Sequence, residues 1–161
     1  MKPLFLLPIA LLATIVACNQ SKDTNTATSA NTTTTAPATT PAAKTNPNEP
    51  KDSGVYFVNL KNWDTVKSPF VVQMGVKGKT VAPMGTMDTK TGHHHLIIDG
   101  NYVVKGLVIP KDETHLHFGK GQTVDTLSLS PGSHTLTLQF ADGAHMSYGD
   151  DWHAMITIVV K

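Results

Sequence analysis

His134-Thr135-Leu136-Thr137-Leu138-Gln139-Phe140 alternates without a break, with His134, Leu136, Leu138 and Phe140 facing one way and Thr135, Thr137 and Gln139 the other. A side-chain period of two is the signature of a half-buried β-strand, because successive Cβ atoms leave opposite faces of the pleat. Ala154, Ile156, Ile158 and Val160 repeat the pattern against Met155, Thr157 and Val159. Working outward, similar short apolar runs predict strands near 55–60, 70–76, 94–98, 102–108, 115–118 and 124–129. Turn chemistry separates them at Asp99-Gly100-Asn101, Ser130-Pro131-Gly132 and Asp142-Gly143. No window sustains a helical period. The expectation is therefore all-β: an immunoglobulin-like antiparallel β-sandwich of seven to eight strands over residues 54–161, ahead of a small barrel.

The preceding third of the chain reads differently. Lys2 is followed by an apolar run, Leu4 to Val16, broken only at Pro8 and Thr14. Such a run is shorter than the ~20 residues a spanning helix needs. It ends Ile15-Val16-Ala17-Cys18, which resembles a bacterial lipobox. The resemblance implies a lipoprotein signal peptide at residues 1–17, lipidation of Cys18, and anchoring in the cell envelope, with the outer membrane favoured because Asn19 follows the cysteine. Residues 18–53 are then expected to form a disordered tether. From Asn19 to Pro50 they hold no leucine, isoleucine, valine or aromatic side chain, so little apolar burial is available to offset ordering.

Composition closes off several classes. The 161 residues carry a formal net charge of +1, and all 13 basic residues are lysines. With no arginine fork and no basic field, nucleic acid is not an expected partner. The lone cysteine excludes an internal disulfide or a multi-cysteine metal site. Gly-x-Ser-x-Gly and His-Glu-x-x-His are absent, and no cysteine remains in the sandwich to act as nucleophile. The expectation is not an enzyme, and hydrolysis by metal-activated water ranks last.

Histidine carries the chemistry. All eight histidines lie between His93 and His153. In a strand, His93 and His95 share one face and His94 takes the other. Residues two apart have α-carbons about 6.6 Å apart, within reach of one ion. His115-Leu116-His117 repeats the spacing, and His145 lies in the loop before the last strand. His93, His95, His115, His117 and His145 are thus the candidate ligands for copper or zinc. Asp99 and Asp125 are candidate carboxylates for orienting those rings. Met84 and Met87 precede the triple histidine and offer thioethers, a donor that suits monovalent copper; thioethers also commonly fill gaps in a core.

The segments Val55-Tyr56-Phe57, Asn62 to Pro69, Val81-Ala82-Pro83, Gly92-His93-His94-His95-Leu96-Ile97-Ile98-Asp99, His115 to Thr123 and Pro131 to Leu136 together resemble a bacterial family of exported, His-rich domains of unknown function. The resemblance implies an exported immunoglobulin-like β domain and supplies no activity. Two roles follow as expectations. One is a lipid-anchored envelope protein that binds copper or zinc for buffering or delivery. The other is an adhesion or assembly module with a protein partner, in which the histidines form a hydrogen-bonded network.

Overall fold

The structure, a computed structural model, describes residues 46–161. The expected export signal, Cys18 and the expected tether up to residue 45 lie outside the described residues. Residues 46–53, assigned to the tether by composition, lie against the first strand. Asn46 Nδ2 donates to the carbonyl of Val58 (2.7 Å), and Asn48 Nδ2 to that of Leu60 (2.6 Å). Glu49 pairs with Lys77 at 3.2 Å. Asparagine side chains here do what a neighbouring strand would otherwise do for those carbonyls.

The described chain is all-β, with a single 3-10 turn at Asp150–Trp152 and no helix long and apolar enough to cross a membrane. Its strands are β1 (Gly54–Phe57), β2 (Asp64–Val66), β3 (Phe70–Lys77), β4 (Thr80–Val81), β5 (Thr91–Ile98), β6 (His115–His117), β7 (Val124–Leu127), β8 (Gly132–Ala141) and β9 (His153–Val160). They form two sheets. One runs β1-β3-β7; the other runs β2-β9-β8-β5-β4, with β6 also paired to β5. The two-layer sandwich is as expected, but it has nine strands. The short β2 and β4 were not foreseen, and both pair parallel, β2 with β9 and β4 with β5. Two- and three-residue strands leave too little alternation to register as a period.

The alternation does what it promised. Leu136, Leu138 and Phe140 from β8, Ile156, Ile158 and Val160 from β9, and Phe70, Val72 and Met74 from β3 turn inward and form one core with Val55, Phe57, Leu96 and Leu127. Burial of each such side chain stabilises by about 1.5–3 kcal/mol before conformational entropy is set against it.

The expected strand at 102–108 forms no sheet. Its residues belong to a strap that crosses the outer face of the larger sheet. The Val103 N–H donates to Gln139 Oε1 (2.8 Å), and Gln139 Nε2 donates back to the Val103 carbonyl (2.7 Å). Thr137 Oγ1 donates to the Gly100 carbonyl (2.7 Å), and the Ile109 N–H to that of His145 (3.0 Å). A buried side-chain amide thus replaces the ladder a strand would have used. The strap also explains β5, in which His93 to Ile97 are buried on both faces although only one faces the core.

β5 sets the register of the site. One edge pairs with β8, placing His93 opposite Ala141 and His95 opposite Gln139. The other edge takes β4 at Thr91–Gly92 and β6 at His95–Ile97, which places His95 opposite His117 and Ile97 opposite His115.

Candidate metal centre

His93 and His95 lie on the outer face of β5, under the strap. Directly opposed residues on adjacent strands have Cβ atoms about 4.5–5.5 Å apart, so the His95–His117 pairing brings a third imidazole alongside. A fourth comes from the turn after β8. The Asp142 carboxylate there accepts the backbone N–H of Ala144 (2.8 Å) and of Met146 (2.9 Å), and His145 takes φ 65°. A left-handed backbone is costly for a residue with a Cβ, and such strain concentrates at functional positions. In this turn it accompanies a His145 ring that points at the other three.

The ring nitrogens converge. His93 Nε2 lies 3.1 Å from His95 Nε2 and 3.2 Å from His117 Nε2, and His117 Nε2 lies 3.0 Å from His145 Nε2. Four nitrogens placed tetrahedrally about an ion at 2.0–2.1 Å would be separated by about 3.3 Å. His93, His95 and His117 are thus close enough to hold a metal ion, with His145 Nε2 beside them.

A second fit test concerns protons. A neutral imidazole carries one N–H and one lone pair, and a nitrogen that bears hydrogen cannot also accept. Strung together at hydrogen-bond distance, the four Nε2 atoms cannot all be satisfied by single, linear bonds to one another. A cation held at their meeting point would be satisfied by the Nε2 lone pairs, with each ring hydrogen on Nδ1. Protons are disfavoured here in any case. Burial, then the neighbouring His117 and His145 rings, hold His93 down to about 4, against a partial rise from Asp142. Burial and then His93, His117, His145 and His115 hold His95 to about 2. Burial also lowers His117. His93, His95 and His117 are thereby biased to the neutral form, which is the state a metal requires.

The remaining histidines have other partners. His115 shares a face of β6 with His117 but stands one position farther along, opposite Ile97, and its Nδ1 turns to the Asp112 carboxylate at 2.9 and 3.0 Å. It is not among the three that cluster. His134 Nδ1 bonds Asp99 (2.8 Å) and its Nε2 the Ser130 carbonyl (3.0 Å). His153 stacks on Tyr102 with centroids 4.3 Å apart and bonds the Asp150 carbonyl (2.6 Å). His94 points into the core against Phe140, and neither of its nitrogens has a partner among the described residues. Asp99 is committed to His134 and Thr135, and Asp125 to the Thr126 N–H, so neither orients the cluster. The buried Nδ1 atoms of His93 and His95 have no hydrogen-bond partner among the described residues.

A hollow of about 420 Å³ opens onto the cluster, lined by Met84, His95, Val108, Ile109, Pro110, Lys111, His117 and His145. It brings Met84 to the imidazoles. The strap supplies most of the apolar wall, a contribution that no motif announced.

A family match covers residues 72–161, more than half of the chain, and spans all four imidazoles. The chain belongs to the family described as a domain of unknown function (DUF4399). No curated protein and no solved structure matches it. Membership of DUF4399 brings no activity with it, so the geometry is the ground on which a function rests.

Proposed function

We propose that this chain is a lipid-anchored protein of the bacterial cell envelope whose sandwich binds a transition metal, copper or zinc, through His93, His95 and His117 with His145 as fourth donor, for buffering or delivery. The observation that carries the reading is the set of Nε2 separations, 3.0 to 3.2 Å, that joins the buried His93 and His95 to the half-buried His117 and His145. Nitrogen donors of this kind suit both ions. The anchor rests on the sequence alone, from the short apolar run and its terminal Cys18.

A purely structural histidine network is the competing role. It accounts less well for the chained Nε2 atoms, which at 3.0 to 3.2 Å cannot each be satisfied by the others. Calorimetric titration of the tag-free chain decides between them. The metal reading expects sub-micromolar binding of at least one of the two ions, lost in His95→Ala and His117→Ala. Binding no tighter than about micromolar, roughly 8 kcal/mol, would overturn it.

A further inference from the structure

The donor set at the mouth of the hollow includes sulfur. Met84 is half exposed, at 53 %, although it is a large apolar side chain and the core lies close by. Its backbone is held in place rather than free. The Met84 N–H donates to the Gly119 carbonyl (2.8 Å) and the Gly85 N–H to the Gly143 carbonyl (2.8 Å). The first bond ties the loop to the residues following His117, the second to the turn that presents His145. Gly85 at φ 87° lets the chain make both contacts.

Gly119 shows how near the sulfur comes. A Cβ built there would overlap the His117 ring at Cε1 and Nε2, closer than 3 Å, and would stand 3.1 Å from Met84 Sδ. The thioether and the His117 Nε2 therefore flank one point and lie within about 6 Å of each other. Rotation about the unbranched methionine side chain covers the rest. Met87, three residues on and 71 % exposed, lines neither this hollow nor the adjoining one that Met84 shares with His117 and Gly119.

The charge balance of the site selects among ions. Its donors are imidazole and thioether, all neutral. The cost of transferring an ion to a low-dielectric site grows with the square of its charge, so a monovalent cation needs about a quarter of the compensation a divalent one does. A carboxylate on the far nitrogen of a ligating imidazole raises its basicity and suits a divalent ion. His93 and His95 have no such partner. Thioether with imidazole, in an apolar cleft, is the environment of copper(I).

We propose that Met84 is a thioether ligand and that the site it completes with His93, His95 and His117 takes copper(I). This rests on the metal-binding reading above and adds to it the oxidation state and the sulfur.

The test uses the full chain without a histidine tag, under anaerobic conditions, with copper(I) affinity from chromophoric chelator competition and zinc affinity from a parallel competition. Met84→Leu keeps the bulk and removes the sulfur, and Met87→Leu is the control. The expected result is at least a tenfold loss of copper(I) affinity in Met84→Leu, with zinc affinity within twofold and Met87→Leu like wild type. X-ray absorption of the copper-loaded chain should show a sulfur scatterer that Met84→Leu lacks. Unchanged copper(I) affinity in Met84→Leu, with nitrogen scatterers alone in both proteins, would overturn the assignment while leaving metal binding intact. Zinc binding without copper(I) binding would do the same. Failure to bind either ion would remove the underlying reading, and this one with it.

Discussion

Acidification of the metal-free protein tests the buried imidazoles directly. His93, His94 and His95 are fully buried, and burial, reinforced by neighbouring rings, holds them at about 4, 3 and 2 against an ordinary 6.5. A basic group whose folded value is depressed stays neutral in the fold while the unfolded chain takes up its proton. Stability is therefore complete above pH 6.5 and falls as the pH drops through that value toward the folded ones. At pH 5.5 an unfolded imidazole is about ten-elevenths protonated and the folded one hardly at all, which costs about 1.4 kcal/mol per residue. Three such residues cost about 4 kcal/mol between pH 7.5 and 5.5, a large share of the 5–15 kcal/mol typical of a domain. His134 works in the opposite direction, since its bond to Asp99 raises it. It sits at the surface, where solvent screens the effect, and offsets only a fraction. Urea midpoints measured in EDTA at pH 7.5, 6.5 and 5.5 read the slope. A flat profile would mean the three imidazoles are solvated or already charged in the fold, and the packing argument would fail. Saturating metal should raise the whole profile, by about 4 kcal/mol at 1,000 times its Kd, and leave its slope unchanged, because the folded rings carry no proton in this range with or without the ion.

Single substitutions separate the roles. His117→Ala should weaken metal binding by on the order of 100-fold, whereas His115→Ala, whose ring is engaged by Asp112, should stay within about threefold in the same titration. His94→Leu removes two buried nitrogens that lack partners, so the melting temperature should hold or rise, and about a third of the acid sensitivity should vanish. Gln139→Leu strips the Val103 N–H of its partner and leaves the Val103 carbonyl to Ser147 Oγ alone, and should cost about 1–3 kcal/mol in urea unfolding, with faster hydrogen exchange across the strap. Gly119→Ala should push the His117 ring aside, lowering metal affinity about tenfold for a loss of stability near 1 kcal/mol.

The long strands were legible because they are half-buried in the simplest way. β8 and β9 alternate cleanly, and their inward residues are the core. Three of the imidazoles were legible too, since His-x-His in a strand can only place both rings on one face. What one strand cannot disclose is its partner's register. His115 and His117 are equivalent by spacing, and only the pairing of His117 with His95 chooses between them. The 102–108 segment was misread for a related reason. Its apolar residues cover a sheet face as a strand's would, but its hydrogen bonds go to Gln139, Thr137 and the 145–147 turn, side chains and loop atoms that no local pattern identifies.

The placement of the site follows from the same economy. A sandwich of this size has one dry interior, and it is filled by side chains of both sheets, so an ion cannot sit there without displacing the core. The outer face of β5 is covered by the strap, and one of the ties that hold the strap down is Gln139, which lies on β8 directly opposite His95. Dehydration of the imidazoles and closure of the strap thus meet at Gln139, one of several sheet and turn positions that fasten the strap. Release of the strap would hydrate His93 and His95, restore their affinity for protons, and expose the bound ion on the side where Met84 stands. The delivery role proposed above would need a step of this kind, one that weakens binding and opens a path together. The Gln139→Leu chain accordingly should lose its ion faster to an added chelator than its equilibrium affinity alone would require, and equal dissociation rates in the two proteins would break the coupling.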